Sequence, residues 1–100
     1  MAIPTEFSLS QNYPNPFNPE TSIKYGLPEP AQVKITIYDV NGRLIRTLVS
    51  GQKSAGNHSA IWDGRDEIGR KVVSGVYFYH FKAVCKNNVF IQTNKMILMK

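Results

Sequence analysis

Residues 62–79 limit the architecture of this chain more strongly than any other stretch. Trp62 leads into a charged loop at residues 63–70 that contains two glycines, and β-branched and aromatic residues follow up to Tyr79. Such residues favour pleated strands, whereas glycine reaches backbone angles that other residues adopt only at a cost. The stretch is therefore typical of a loop that connects two strands of a β-sandwich.

Apolar and polar residues alternate in several further segments that end at proline, glycine or asparagine. Alternation of period two indicates strands with one buried face. Between two of these segments, Asn41-Gly42 predicts a tight hairpin with a primed turn. Because two amphipathic sheets bury their apolar faces against each other, the pattern predicts an all-β, antiparallel Greek-key sandwich. The predicted strands, about seven in number, span residues 7–10, 20–27, 33–37, 44–49, 58–62, 75–85 and 89–99.

The length of 100 residues is that of one domain with a single modest core. We expect this domain at residues 7–100, preceded by linker or cloning-derived residues at 1–6. Cys85 is the single cysteine, so an internal disulfide is excluded. Apolar runs stay well below the roughly 20 residues of a membrane-spanning helix, so we expect no transmembrane segment.

The charge of the chain is basic but dispersed. Twelve lysines and arginines against seven acidic residues give a formal net charge of +5. Clustered basic residues would indicate nucleic-acid binding, but here they are scattered over many predicted strands and loops. A solvated surface without a nucleic-acid partner is the expectation, and a basic face toward anionic lipopolysaccharide stays open.

Side chains that perform catalysis or bind metals do not form a familiar pattern. His58 and His80 are the only histidines, and together with Cys85 they show no spacing of zinc ligands. No serine lies in a nucleophile elbow or in another catalytic motif. We therefore expect no enzymatic activity, no cofactor and no metal at these residues.

One acidic cluster is present, formed by Asp63, Asp66 and Glu67. Loops rich in oxygen ligands can bind calcium, but the order of these residues does not match an EF-hand. A structural role, in which Asp63 accepts hydrogen bonds from its own turn, is favoured. The sequence leaves calcium binding by this loop open.

Aromatic side chains could form a platform for sugar binding. Such a platform would make the domain a carbohydrate-binding accessory module, but aromatic residues at alternating strand positions more often fill a core. Binding would require several of these rings to be coplanar and exposed. The candidates are Tyr25, Tyr38, Trp62, Tyr77 and Tyr79.

The last predicted strand is apolar on both faces at its end. Met96 and Leu98 alternate with Ile97 and Met99, and lysines lie on either side. One explanation is a strand buried on both faces, and another is a strand at a sheet edge that pairs with a strand of a partner. An edge strand would offer unpaired backbone groups for affinity and side chains for specificity.

Four blocks of this sequence, in this order, resemble a known family. They are residues 13–19 (YPNPFNP), residues 37–43 (IYDVNGR), the Trp62 loop with residues 75–79 (GVYFY), and residues 95–100 (KMILMK). Together they resemble the C-terminal sorting domain of type IX secretion cargo. More distantly, the chain is similar to the immunoglobulin-like domain of the flagellar hook-capping protein.

The resemblance implies an immunoglobulin-like sandwich at residues 7–100 that acts as a secretion signal fused to a larger cargo protein. Its partners would be the type IX translocon of the outer membrane and a sortase-like protease, and the cargo would be secreted or attached to lipopolysaccharide at the surface of a Gram-negative cell. A structural assembly domain akin to the hook-capping protein is an alternative. The residues expected in partner recognition are Lys95, Met96, Ile97, Leu98, Met99 and Lys100. The residues expected to maintain the fold are Asn41, Gly42, Trp62, Gly64, Gly69, Gly75 and Tyr77.

Overall fold

A computed structural model describes residues 3–99 of the chain. Within these residues every regular element is a β-strand, and the strands form two antiparallel sheets. The prediction of an all-β, immunoglobulin-like sandwich is thereby confirmed. The seven strands are β1 (Ser8–Leu9), β2 (Thr21–Leu27), β3 (Ala31–Asp39), β4 (Leu44–Lys53), β5 (Gly56–Trp62), β6 (Gly75–Cys85) and β7 (Asn88–Leu98).

The two sheets contain three and four strands, in the orders β1-β2-β5 and β4-β3-β6-β7. Consecutive strands β2 and β3 lie in different sheets, as do β4 and β5, which gives the Greek-key connectivity. Alternating residues of both sheets point inward and pack into one core. Its largest fully buried side chains include Trp62, Tyr79, Phe17, Phe81, Ile23, Leu27, Ile35, Ile37, Met96 and Leu98.

The hairpin at Asn41-Gly42 joins β3 to β4, as predicted, but its turn differs from the prediction. The amide of Gly42 donates to the carbonyl of Asp39 (3.0 Å), and the amide of Asp39 donates to the carbonyl of Arg43 (3.1 Å). Gly42 has a φ of 80°, whereas among residues 3–99 no residue other than glycine has a positive φ. A type I′ turn needs positive φ at both central residues, so the predicted primed turn is wrong. The loop is a type I turn followed by a left-handed glycine.

Strands β4 and β5 extend further than the sequence pattern indicated. Residues 50–57, rich in glycine and serine, separate the predicted strands 44–49 and 58–62, but in the structure β4 continues to Lys53 and β5 begins at Gly56. Residues 50–53 pair with residues 31–34 of β3, and Gly56 pairs with Leu27 of β2. Pairing with neighbouring strands thus outweighs the low strand propensity of these residues.

Candidate functional site

The terminal segment of the chain is one half of an edge strand. β7 lies at the end of the four-stranded sheet, and β6 is its one partner strand among the residues that the structure describes. Met96 and Leu98 are buried in the core, Ile97 is half-buried, and Lys95 and Met99 are exposed. Lys100 lies outside the described residues. Of the two explanations that the sequence left open, the position at a sheet edge is the one observed, with one face of the strand in the core.

The outer edge of this segment is covered by residues 11–17, which we call the strap. The amide of Phe17 donates to the carbonyl of Ile97, and the amide of Met99 donates to the carbonyl of Phe17, both at 2.9 Å. The Asn15 Oδ1 atom accepts the amide of Ile97 (3.0 Å), and Gln11 Nε2 donates to the carbonyl of Lys95 (2.7 Å). The expectation of unpaired backbone groups at this edge is therefore wrong for these four groups, because they are bonded within the chain itself.

The aromatic ring of Phe17 anchors the strap. Phe17 is 1% exposed and packs against Trp62 with ring centroids 5.6 Å apart, and Trp62 meets Tyr77 at 5.3 Å. Tyr13, four residues before Phe17, is 80% exposed. Of the two aromatic rings of the strap, that of Phe17 therefore folds back onto the core and that of Tyr13 does not. Its backbone pairs with Ser22, which leaves its ring on the solvent side.

The Trp62 loop closes the same region from the other side. Trp62 Nε1 donates to the carbonyl of Arg65 (2.9 Å), which shapes the start of the loop. A Cβ atom at Gly64 would lie 3.3 Å from the carbonyl oxygen of Pro19 and 3.7 Å from Leu98. Gly64 also has a φ of 74°, so a side chain there would be strained as well as crowded. The end of the strap, this loop and the terminal half of β7 meet here, and we call the contact the junction.

The residues expected to maintain the fold occupy special positions. Gly42, Gly64, Gly69 and Gly75 all have positive φ. The hydroxyl of Tyr77, near the start of β6, donates to the carbonyl of Val73 at 2.6 Å, an arrangement similar to the tyrosine corner of immunoglobulin domains. Burial raises the pKa of Tyr77, and the nearby charge of Asp39 raises it further.

Residues 66–70 repeat the turn of residues 39–43, a relation that the sequence analysis missed. In both turns an aspartate carboxylate accepts two backbone amides and the side chain of the arginine four residues later. The amide of Gly69 donates to the carbonyl of Asp66 (3.0 Å), just as Gly42 bonds Asp39. These bonds, above all the one from the backbone of the following arginine, lower the pKa of Asp39 and of Asp66. The shared pattern D-x-x-G-R was the signal that could have revealed the repeat.

The acidic cluster is engaged in structural hydrogen bonds. Asp63 Oδ1 accepts bonds from Arg46 Nη1 (3.0 Å) and from the amide of Arg65 (3.2 Å), so the favoured turn-bonding role of Asp63 is confirmed. Glu67 Oε2 accepts the amide of Thr47 in β4 (2.8 Å). Among residues 3–99 no group of three histidine, cysteine, aspartate or glutamate side chains is arranged to hold a metal ion.

The aromatic residues considered for a sugar platform lie in the core. Tyr25, Trp62, Tyr77 and Tyr79 are buried, and only Tyr38 is half-buried on the outer face of the larger sheet. Because four of the five rings face the interior, they cannot stack on a polysaccharide. The exposed platform on which a carbohydrate-binding module would depend is therefore not formed by these residues.

Comparison with known proteins identifies a domain family that matches most of this chain. The FlgD Ig-like domain family matches residues 13–88, which include residues 13–17 of the strap and the Trp62 loop. The chain belongs to this family. The match to the FlgD Ig-like domain ends where β7 begins, so the terminal segment lies beyond it. No helix among the described residues is long and apolar enough to cross a membrane.

Individual relatives are consistent with the FlgD Ig-like assignment. The basal-body rod modification protein FlgD of Salmonella typhimurium is 44% identical over 52 residues, which represent 51% of this chain and 22% of that protein. The chain thus spans about a fifth of the length of this relative. FlgD of Pseudomonas aeruginosa has a TM-score of 0.63 at 25% identity, covering 78% of this chain and 61% of that one.

Two structures from Porphyromonas gingivalis have the same fold over almost the whole chain. Dimeric latent PorU has a TM-score of 0.74 at 20% identity, covering 93% of this chain and 9% of PorU. PorZ, described as an essential surface component of the type IX secretion system, has a TM-score of 0.58 at 20% identity, covering 94% of this chain and 11% of PorZ. These two similarities show that the fold of this chain also occurs as one part of larger proteins.

Proposed function

We propose that this domain is a non-catalytic C-terminal sorting signal, which directs a fused cargo protein through the outer membrane by the type IX system. The observation on which the proposal rests most is the junction. Three of the four sequence blocks that resemble sorting domains, far apart in the chain, contact one another there and hold the terminal segment in place. The fourth block forms the turn between β3 and β4.

The neighbours in Porphyromonas gingivalis support this proposal. Domains that align with more than nine-tenths of this chain make up about a tenth of PorU and of PorZ, and PorZ belongs to the type IX system. A domain of this kind within a much larger protein is what a sorting signal fused to its cargo requires. The proposed partners are the type IX translocon and a sortase-like protease. The cargo would be secreted, or the protease would attach it to anionic lipopolysaccharide at the cell surface.

Recognition at the terminal segment would use side chains rather than the backbone. The strap already bonds four outer backbone groups of this segment, namely the carbonyls of Lys95 and Ile97 and the amides of Ile97 and Met99. A receptor strand could therefore pair along this edge only after the strap had left. Lys95 and Met99, in contrast, are exposed on the folded domain. We expect these two side chains to be the part of the segment that a receptor contacts first.

The proposal is tested with a secreted reporter fused ahead of residue 1 in a host with a type IX system. Deleting residues 95–100 would remove Met96 and Leu98 from the core and unfold the domain, so substitutions of exposed residues are preferable. We expect the pair Lys95→Glu and Met99→Ser to leave the reporter in the periplasm. The pair Lys82→Glu and Val84→Ser, at exposed positions on β6, is the matched control.

The result is decisive in either direction when folding is monitored by thermal unfolding of the purified domains. Loss of surface delivery in the Lys95 and Met99 variant alone supports recognition at the terminal segment. Delivery that is equal for both folded variants would contradict it. Failure of the unmodified domain to deliver the reporter would contradict the sorting function itself.

A second candidate is a structural assembly domain akin to FlgD. The identity of 44% over 52 residues and the family match favour it over other functions of immunoglobulin-like domains. This candidate predicts open-ended oligomers that grow with concentration. Light scattering of the purified domain over a wide concentration range distinguishes it from the sorting signal, which needs no such growth.

A further inference from the structure

The other half of β7, residues 88–94, has an open edge. The strap bonds the amide or carbonyl of residues 95, 97 and 99, so odd-numbered residues of β7 direct these groups away from β6. The pairing of β6 with β7 continues without a register shift from Leu98 to Asn88, so the same alternation holds along the whole strand. Within residues 3–99, no partner is found for the outward backbone groups of Val89, Ile91 and Thr93.

The side chains along this open edge do not protect it. Charged residues, prolines, bulges and short strands are the usual devices that prevent edge pairing. Residues 87–94 (NNVFIQTN) contain no charge, no proline and no glycine, and Val89 and Ile91 are exposed. At the opposite edge of the same sheet, β4 is capped by Glu67, which bonds Ile45 and Thr47, and its pairing with β3 has register shifts.

The order of residues in this segment is self-complementary. If two copies pair antiparallel about Ile91, then Val89 meets Thr93, Phe90 meets Gln92 and Asn88 meets Asn94. Residues 89, 91 and 93 then form hydrogen-bonded pairs, each of which exchanges two backbone bonds. Although each chain has a net charge of +5, this register brings no two charged side chains together.

Features at both ends of the open segment select the same register. The β6–β7 turn precedes Asn88, and the strap begins to cover the edge at Lys95. In the register centred on Ile91, the β6–β7 turn of one copy lies beside the position at which the strap of the other copy begins. A shift toward the chain end would place one copy against the other copy's strap, and a shift the other way would leave fewer paired residues.

We propose that β7 is a dimerisation edge, at which residues 88–94 of two copies pair antiparallel about Ile91. The four-stranded sheets of both copies then form one continuous sheet across a two-fold axis. Because each copy offers this edge once, the assembly closes at two chains. This dimer does not depend on the proposed sorting function, and the oligomeric state of the chain tests it directly.

Cysteine cross-linking tests the register in a Cys85→Ser background. Ile91→Cys places the two sulfur-bearing residues opposite each other, within the separation of about 4.4–6.8 Å between Cα atoms that a disulfide accepts. Val89→Cys is the matched control, because its counterpart lies four residues along the strand, about 14 Å away. We expect a cross-linked dimer from the first variant only. Equal cross-linking of both variants, or of neither, would overturn the proposal.

Sedimentation equilibrium of the full chain tests the edge itself. Ile91→Lys sets two ammonium groups against each other, and we expect the dissociation constant of the dimer to rise about tenfold or more. Ile61→Lys on β5 is the matched control, since Ile61 is 61% exposed and Ile91 is 55% exposed. Three results would each overturn the proposal: a monomer at all concentrations, a dimer whose dissociation constant is unchanged by Ile91→Lys, or assemblies of more than two chains.

Discussion

The two halves of β7 belong to one continuous strand but differ in what covers their outer edge. Residues 95–99 pair with the strap, and their inward side chains fill the core beside Trp62 and Phe17. Within the described part of the chain, the backbone of residues 88–94 pairs with β6 alone, and the inward residues Phe90, Gln92 and Asn94 are half-buried. β7 thus has a covered edge at one end and a free edge at the other.

The comparison shows how a short proline-rich segment changes the role of an edge. Proline cannot donate a backbone bond, so the strap makes its contacts through the backbone of Phe17 and the side chains of Asn15 and Gln11. This irregular pairing ends at Lys95, where the strap turns toward the smaller sheet. Stability should therefore depend on the covered half, and association on the open half.

The largest effect is expected from removing the anchor of the strap. Phe17→Ala deletes a ring that is fully buried against Trp62, and we expect the free energy of unfolding to fall by about 3–5 kcal/mol. Urea unfolding measures the change. Tyr13→Ala in the same segment is the control, and because Tyr13 is exposed we expect a change within about 0.5 kcal/mol. Equal effects of both substitutions would mean that the strap is not anchored by Phe17.

A smaller effect is expected at Tyr79, where the two halves of β7 adjoin. Its hydroxyl donates to the carbonyl of Ser10 (2.8 Å) and accepts bonds from the amide of Asn12 (2.9 Å) and from Asn94 Nδ2 (3.1 Å). Tyr79→Phe leaves these groups without their partner, and we expect a loss of about 1–3 kcal/mol in the free energy of unfolding. Tyr38→Phe on the outer face is the control.

The ionisation of Tyr79 should also make the free energy of unfolding depend on pH in the alkaline range. Burial raises the pKa of Tyr79 above its ordinary value of 10.0, against the opposing effect of its hydrogen bonds. Since the folded state holds the proton of Tyr79 more tightly than the unfolded state, this proton contributes to stability. The contribution is complete at pH values below the ordinary pKa and is lost as the pH rises through the pKa of the folded state. Tyr79→Phe should therefore flatten the alkaline decline in stability, although Tyr25 and Tyr77 still contribute to it. An unchanged slope would contradict this prediction.

Much of the sandwich could be predicted because its strands follow a local rule. The alternation of Ile23, Tyr25 and Leu27 with polar neighbours marks the buried face of β2, and all three are in the core. Trp62 is likewise fully buried, and Gly64 and Gly69 of the adjoining loop have positive φ. In each case the signal lies within a few neighbouring residues.

The junction could not be predicted, because its contacts join distant segments without a shared pattern. Phe17 forms a parallel bridge with Leu98, and no periodicity connects a proline-rich segment to the last strand. Composition alone also cannot tell which aromatic residue of that segment is buried, since Tyr13 and Phe17 both lie beside prolines. The repeated turn, unlike the junction, could have been predicted, because the pattern D-x-x-G-R is visible in the sequence itself.

A moderate effect is expected from one side-chain bond between the strap and β7. Asn15→Ala removes the acceptor of the Ile97 amide, and we expect a loss of about 0.5–1.5 kcal/mol in the free energy of unfolding. Hydrogen exchange of the Ile97 amide should accelerate at the same time, whereas that of Val89 should not change. Asn18→Ala, at an exposed asparagine of the neighbouring sequence, serves as the control. Slower or unchanged exchange at Ile97 would argue against this contact in solution.

The smallest effect is expected in the open half. Ile91 is exposed and its outward backbone groups have no partner among the described residues, so Ile91→Ala should change the free energy of unfolding by no more than about 0.5 kcal/mol. Urea unfolding at a concentration where the chain is monomeric measures this value. A loss above roughly 1.5 kcal/mol would show that Ile91 packs inside the monomer, because only buried apolar side chains give losses of that size. The side chain of Ile91 would then be buried like those of Met96 and Leu98, and the two halves of β7 would no longer differ in their contribution to stability.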